Sequence, residues 1–220
     1  MKAWIEEDNI NYEYIIRYLR DTIPQTTGHI AEMEAFAKAN EVPISQPESI
    51  RLVEVLLKIK GAKKILELGT AIGYSAIRMT NACGAEVVTV EISDEMAETA
   101  RENFQRAGVC DKVELIQGDA RDVIRDIKGE EVFDVIFVDA AKGQYMEFFP
   151  ECERLLKKGG ILISDNVLYK GMTATDELVV RRKITIVRRL RKYLEMLKNN
   201  KNFSTALLPV GDGIAISFKE

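Results

Sequence analysis

Histidine is almost missing from this chain: His29 is the only one among 220 residues. That excludes a multi-histidine metal centre and argues against a Ser-His-Asp relay, since a lone histidine in a polar stretch reads as a surface or capping residue. Cysteine is nearly as scarce. Cys83, Cys110 and Cys152 are odd in number and lack metal-type spacing, so they read as reduced thiols of a cytoplasmic protein. No apolar run approaches the roughly 18 residues of a membrane span, and the opening MKAWIEEDNI has no leader-type apolar region. A soluble globule with no membrane partner is expected. There is no repeat, low-complexity tract or linker. Positive charge is not in excess, with 31 Lys and Arg against 35 Asp and Glu, a net −4. Global attraction to nucleic acid is thereby excluded, and only local basic patches remain. The G-x-G-x-x-G fingerprint is also absent, which argues against an NAD-dependent oxidoreductase.

What is present is a rhythm. Apolar runs at 63–69, 86–92, 113–118, 133–139 and 161–165 alternate with helical spacing at 73–82, 94–107, 121–127 and 145–156. Ser93, followed by Asp94 and Glu95, is an N-cap signal, and residues 157–160, KKGG, read as the end of helix 145–156. Near-continuous apolar strands between amphipathic helices indicate a parallel sheet covered on both faces. After Asp165 come a loop at 166–175, a long basic helix at 177–199, and strands at 203–209 and 214–218 about the turn Gly211-Asp212-Gly213. The expected fold is α/β and Rossmann-like, with seven strands, one of them antiparallel, in a single domain covering 1–220. Helices at 10–21, 29–40 and 46–60 precede the core at 61–220. In the first, Ile10, Tyr14, Ile15, Tyr18 and Leu19 share one helical face. Residues 1–60 thus form a helical lid over a ligand, a dimer surface, or a cover for one sheet edge.

Residues 63–74, KKILELGTAIGY, read as a buried strand, a tight glycine turn and a helix start. A missing side chain at the turn lets a ligand approach the backbone, and the helix offers free N–H groups. The pattern E-x-G-x-x-x-G (Glu67, Gly69, Gly73) puts a carboxylate where a pyrophosphate would be repelled and a cation accepted. Glu91, at the end of EVVTVE, can grip two ribose hydroxyls. A cationic adenosine cofactor without phosphates, S-adenosylmethionine (SAM), fits; the plainer reading is an ordinary βαβ unit with a capped helix.

Ligands of open α/β sheets sit beyond the carboxyl ends of the strands. Glu67, Glu91, Asp119, Asp139 and the pair Asp165-Asn166 stand there. Asp139, Asp165 and Asn166 together make an all-oxygen set suited to Mg²⁺, although single carboxylates at strand ends are also common helix caps. Lys142 lies three residues after Asp139 and reads as a general base or as a balance for the acidic cluster.

The segments LELGTAIGYSAIRM, VEIS, GDA, FDVIFVDAAKGQY, SDNVLYKG and PVGDGIAIS resemble the cation-dependent, SAM-dependent O-methyltransferases, the family of the catechol and caffeoyl-CoA enzymes. The likeness spans about residues 40–220 and implies a class I methyltransferase fold. VPI, DAAKGQY followed by FF, DNVLYKG and the PVGDGIAIS ending resemble in particular the bacterial branch that converts 5-hydroxyuridine to 5-methoxyuridine at the tRNA wobble position. The resemblance implies Mg²⁺ on Asp139, Asp165 and Asn166, with Asp139 also near the methionine moiety of SAM. It places Glu91 on the ribose, Asp119 and Ala120 on the adenine, Gly69 and Ser75 at the methionine end, Gln46 at a cofactor contact, and Lys142 as the base. Glu67 joins the cofactor set from its place in the strand.

The expected acceptor is tRNA, with a small catechol or phenol as the alternative and a homodimer as the assembly. A SAM-binding regulator without catalysis is opposed by the intact Asp139, Lys142, Asp165 and Asn166 set. Arg181, Arg182, Arg188, Arg189, Arg191 and Lys192 read either as a solvated helix face or as a phosphate-facing patch, over an apolar stripe of Ile184, Val187, Leu190 and Leu194.

Overall fold

The computed structural model describes residues 10–220, so the reading of the opening segment lies, apart from Ile10, outside them. Glu13–Asp21 (α1), Gly28–Ala39 (α2) and Pro47–Lys60 (α3) come first. Lys64–Leu68 (β1), Tyr74–Cys83 (α4), Glu86–Glu91 (β2), Asp94–Ala107 (α5) and Val113–Gln117 (β3) follow in alternation. Ala120–Asp126 (α6), Phe133–Val138 (β4), Tyr145–Leu155 (α7) and Leu156–Ser164 (β5) continue it. Ile184–Asn199 (α8), Phe203–Leu208 (β6) and Ile214–Lys219 (β7) close the chain.

The seven strands form one sheet in the order β3-β2-β1-β4-β5-β7-β6. The first five pair in parallel, and β7 runs antiparallel to both β5 and β6. Alternation along each strand sorts the core into two layers. Leu66, Leu68, Val88, Val90, Ile136 and Val138 pack with Tyr145, Phe148, Leu190 and Tyr193 on one face. Ile65, Val87, Val135 and Phe137 pack with Ile50, Val53, Leu57, Ile77 and Phe104 on the other. Between β1 and β4 the strand order reverses, which opens a cleft above their carboxyl ends.

The expected seven-stranded α/β fold is the observed one, and the differences are local. The helix expected over 145–156 ends at Leu155, but residues 157–160 already belong to β5, which starts at Leu156 and not at 161. Leu156 pairs with Phe133, the register shifts, and Ile161 then pairs with Val135, so the glycine pair serves an irregularity inside a strand. The basic helix is shorter than 177–199. Its α-helical part starts at Ile184, after a single 3₁₀ turn at Arg181–Lys183, and no side chain caps that start. Val179 and Val180 are β-branched and poor helix starters, and residues 177–180 are not helical.

The apolar face of α1 is largely exposed. Tyr14 and Tyr18 are 65% and 69% exposed, and Ile16 is the residue that is buried. The helix is held by charge instead: the Arg20 guanidinium grips Glu48 of α3 with two hydrogen bonds, 2.8 and 2.9 Å. Phe36 is likewise exposed, while Met33 and Ala37 carry the buried side of α2. His29 is half-buried in α2, near Glu32, rather than on the open surface.

Candidate active site

The strand ends converge on one cavity of about 1140 Å³. Of the residues expected at a site, Gln46, Gly69, Ser75, Glu91, Asp119, Ala120, Asp139, Lys142 and Asn166 line it. Glu67 and Asp165 do not. Both are completely or almost completely buried and lie behind the wall.

Gly69 explains how the cleft floor is built. Its φ is +101°, and a Cβ there would stand 2.2 Å from the Asp139 carbonyl oxygen. The missing side chain therefore lets β4 approach the β1 turn, where the sequence suggested room for a ligand. Asp139 N–H donates to the Leu68 carbonyl at 2.9 Å, and Gly69 N–H donates to Val90. Three neighbouring strand ends are thus locked together.

Glu91 accepts from the Ala71 N–H at 2.8 Å and the Ser93 N–H at 2.9 Å. The carboxylate is oriented by backbone at the cavity wall, with lone pairs left for hydroxyl donors. Ser93 also caps α5, as expected, by accepting from Met96 N–H. Asp119 caps α6, and its carboxylate is embraced by Arg121, whose hydrogen bonds hold its pKa down at about 2. Arg121 was not foreseen at the site; a basic residue two positions after an acid in a helix reads as surface.

Glu67 is fully buried behind the turn. Burial pushes its pKa up to about 8, and the Thr89 and Ser75 hydroxyls only partly offset this. Thr89 donates to one oxygen at 2.6 Å, and the other oxygen, Oε1, has no hydrogen-bond partner among the described residues. A fully buried acceptor without a partner costs free energy unless protonated or met by a donor.

Asp139 and Asp165 are both raised, first by burial, and Asp165 further by the charge of Asp139; Lys142 pulls both back. Ser45 donates to Asp139 at 3.3 Å, and Asp165 accepts from Asn166 N–H at 2.6 Å. Tyr145 ties the two strand ends together, its hydroxyl reaching the carbonyls of Asp165 at 2.8 Å and Val138 at 3.3 Å. Among the described residues no three His, Cys, Asp or Glu side chains gather as a metal-ligand cluster. The oxygen donors that do gather are two carboxyls in each other's field and the neighbouring Asn166. Two such buried acids in an all-oxygen setting suit a hard cation, which would relieve both the burial and the repulsion.

Sequence reasoning missed Ser45, the Tyr145 hydroxyl and Asp212. Asp212 lines the cavity beside Lys170, and a turn signal had fully accounted for it. No helix among the described residues is long and apolar enough to cross a membrane.

The family model described as O-methyltransferase matches residues 24–220. A catechol O-methyltransferase of Niastella koreensis is 32% identical over 170 residues, covering 74% of this chain and 77% of the relative. Caffeoyl-CoA O-methyltransferase 1 of Zea mays is 29% identical, covering 98% of this chain and 86% of the relative. The crystal structure of the O-methyltransferase from Bacillus cereus in complex with SAH has a TM-score of 0.83 at 28% identity, over 94% of this chain and 97% of that one.

Proposed function

Because the chain belongs to the O-methyltransferase family and is a SAM-dependent O-methyltransferase, we propose that it methylates the 5-hydroxyl of 5-hydroxyuridine at the tRNA wobble position. The observation that carries the acceptor is uncompensated positive charge beside the cavity. Arg181, Arg182, Arg188 and Lys192 are exposed and make no ion pair with any described residue. They sit on α8 and the turn before it, and α8 packs on the turn Lys142–Gln144 at the cavity wall. In a chain of net charge −4 such a cluster favours a polyanion, and the planar arginine fork suits phosphate. The resemblance of DNVLYKG and PVGDGIAIS to the tRNA branch points the same way.

Glu91 takes the ribose hydroxyls, Gly118, Asp119 and Ala120 border the adenine, and Gly69, Ser75 and Asp139 receive the methionine end. Gln46 makes a further cofactor contact, and the buried Glu67 supports the turn from behind. Bound SAM supplies the electrophilic methyl. Asp139, Asp165 and Asn166 would hold Mg²⁺, whose chemistry is to acidify a hydroxyl and template its neighbours. Lys142 receives the hydroxyl proton or balances the acids. Most of the acceleration comes from holding acceptor oxygen and methyl carbon in line.

A second reading, a small phenolic acceptor, is favoured by the names of the catechol and caffeoyl-CoA relatives. Incubation of hydroxyuridine-bearing tRNA with enzyme, SAM and Mg²⁺, followed by nucleoside analysis, separates the two when run beside free catechol. We expect 5-methoxyuridine to appear. Methylation of catechol with none on tRNA would overturn the proposal.

A further inference from the structure

The loop after β5 is held in an unfavourable shape. Asn166, Tyr169 and Lys170, with φ of 55°, 46° and 57°, all adopt the left-handed region, and Gly171 follows at 78°. Three non-glycine residues in that region within five positions are costly and persist only where the surroundings over-determine them. The same loop brings Asn166 and Lys170 to the cavity wall.

Two clamps hold it. On one side the β6–β7 loop accepts the Val167 N–H at Gly213 O, 2.9 Å, and the Leu168 N–H at Asp212 O, 3.0 Å. The Asp212 carboxylate also accepts from Lys170 N–H. On the other side stands Arg191 of α8. Its Nε donates to the Thr173 carbonyl at 3.0 Å, one terminal nitrogen to the Met172 carbonyl at 3.0 Å, and the other to Asp176 Oδ1 at 2.6 Å. Thr173 passes the grip on, because its hydroxyl reaches the Val167 and Leu168 carbonyls, both at 3.1 Å. Of the six basic residues expected to face phosphate, Arg191 is therefore turned inward.

We propose that Arg191 is a positioning residue for methyl transfer, its guanidinium keeping loop 166–173 in the strained shape that presents Asn166 and Lys170 to the acceptor. Three divergent contacts need the planar fork, and an ammonium cannot make all of them together. Removing the clamp loses hydrogen bonds but also releases strain, so stability changes little while the geometry of the site is lost. The role of Asn166 rests on the function proposed above, and loop order is therefore measured separately from turnover.

The test compares the parent with Arg191→Ala and Arg191→Lys by four measurements. These are thermal unfolding, SAM titration calorimetry, hydrogen exchange over residues 166–176, and turnover on hydroxyuridine-bearing tRNA and catechol. For Arg191→Ala we expect kcat at least about tenfold lower at nearly unchanged SAM affinity. Loop exchange should be at least about tenfold faster. Tm should move by no more than about 3 °C. Arg191→Lys should recover only part of the turnover. Parental loop exchange in Arg191→Ala, or a large Tm loss with turnover per folded molecule intact, would overturn the proposal. Should Arg191→Ala not fold, Asp176→Ala, which removes the acceptor of one arm of the guanidinium, must show faster exchange as well or the clamp is refuted. A parent inactive on both acceptors refutes the proposed function, while loop exchange still decides the clamp.

Discussion

Arg189 donates to the carbonyl oxygen of Gly143 at 3.1 Å, one residue beyond Lys142. The basic helix is thus joined to the turn that carries the candidate base, and neighbouring arginines on it have different work. Arg188 is exposed and has no acidic partner among the described residues, whereas Arg189 also lies 3.9 Å from Glu147. Arg188→Glu should weaken tRNA methylation and lower the salt dependence of tRNA binding by about one contact, a slope change of ~0.7–0.9, while sparing catechol. Arg189→Ala should reduce turnover on both acceptors by loosening the Lys142 turn. Side-by-side kinetics on the two acceptors check this; identical behaviour of the two variants would remove the distinction.

Glu91→Ala should weaken SAM binding about tenfold or more, since charge-assisted hydrogen bonds contribute roughly 1.5–3 kcal/mol. The loss includes the anchoring of the Ala71 and Ser93 amides, which the same carboxylate accepts. Calorimetry with SAM reads it directly, and unchanged affinity would show that the ribose lies elsewhere.

Glu67 sets a pH dependence of stability. Unfolded, it titrates near 4.5; folded, near 8, because burial disfavours its charge. Between those values the native state holds a proton that the unfolded chain has lost, so stability falls as pH rises from 4.5 through 8. The full loss is bounded at roughly 4–5 kcal/mol. Glu67→Gln, neutral at every pH, should flatten the decline of Tm between pH 5.5 and 8.5, taken as about the accessible range. A parallel decline in parent and variant would place the titration in another group.

Chelation should abolish turnover and leave SAM binding in place, because the Glu91 carboxylate that takes the ribose is held by the Ala71 and Ser93 amides and not by the Asp139–Asp165 pair. Asp165→Ala should do the same. Full activity in excess chelator would remove Mg²⁺ from the proposal.

Much of the fold was legible because periodicity and punctuation agreed. Residues 94–107 open at the Ser93 cap with Asp94 and Glu95 in the first turn, and the helix is Asp94–Ala107. The strands ending at Leu68, Glu91 and Val138 were apolar runs closed by a glycine or an acid, and nine of the eleven expected site positions border the cavity without further assumption. These signals are local, set by side chains a few positions apart. Helix 177–199 was overextended because its charge pattern hid two β-branched valines, and KKGG was misread because a strand bulge uses the same residues as a helix stop.

The order of strands and helices, the glycine turn and the acids at the strand ends were determined by the sequence, since backbone propensity and hydrophobic spacing act along the chain. Only the tertiary structure decided what each charge meets. Gly69 makes room for the Asp139 carbonyl, Asp212 borders the cavity from a hairpin 143 positions downstream of Gly69, and Arg191 turns inward while Arg188 does not. A side chain's type and spacing say which face it can take; its partner depends on what the rest of the chain, folded back, has brought within reach.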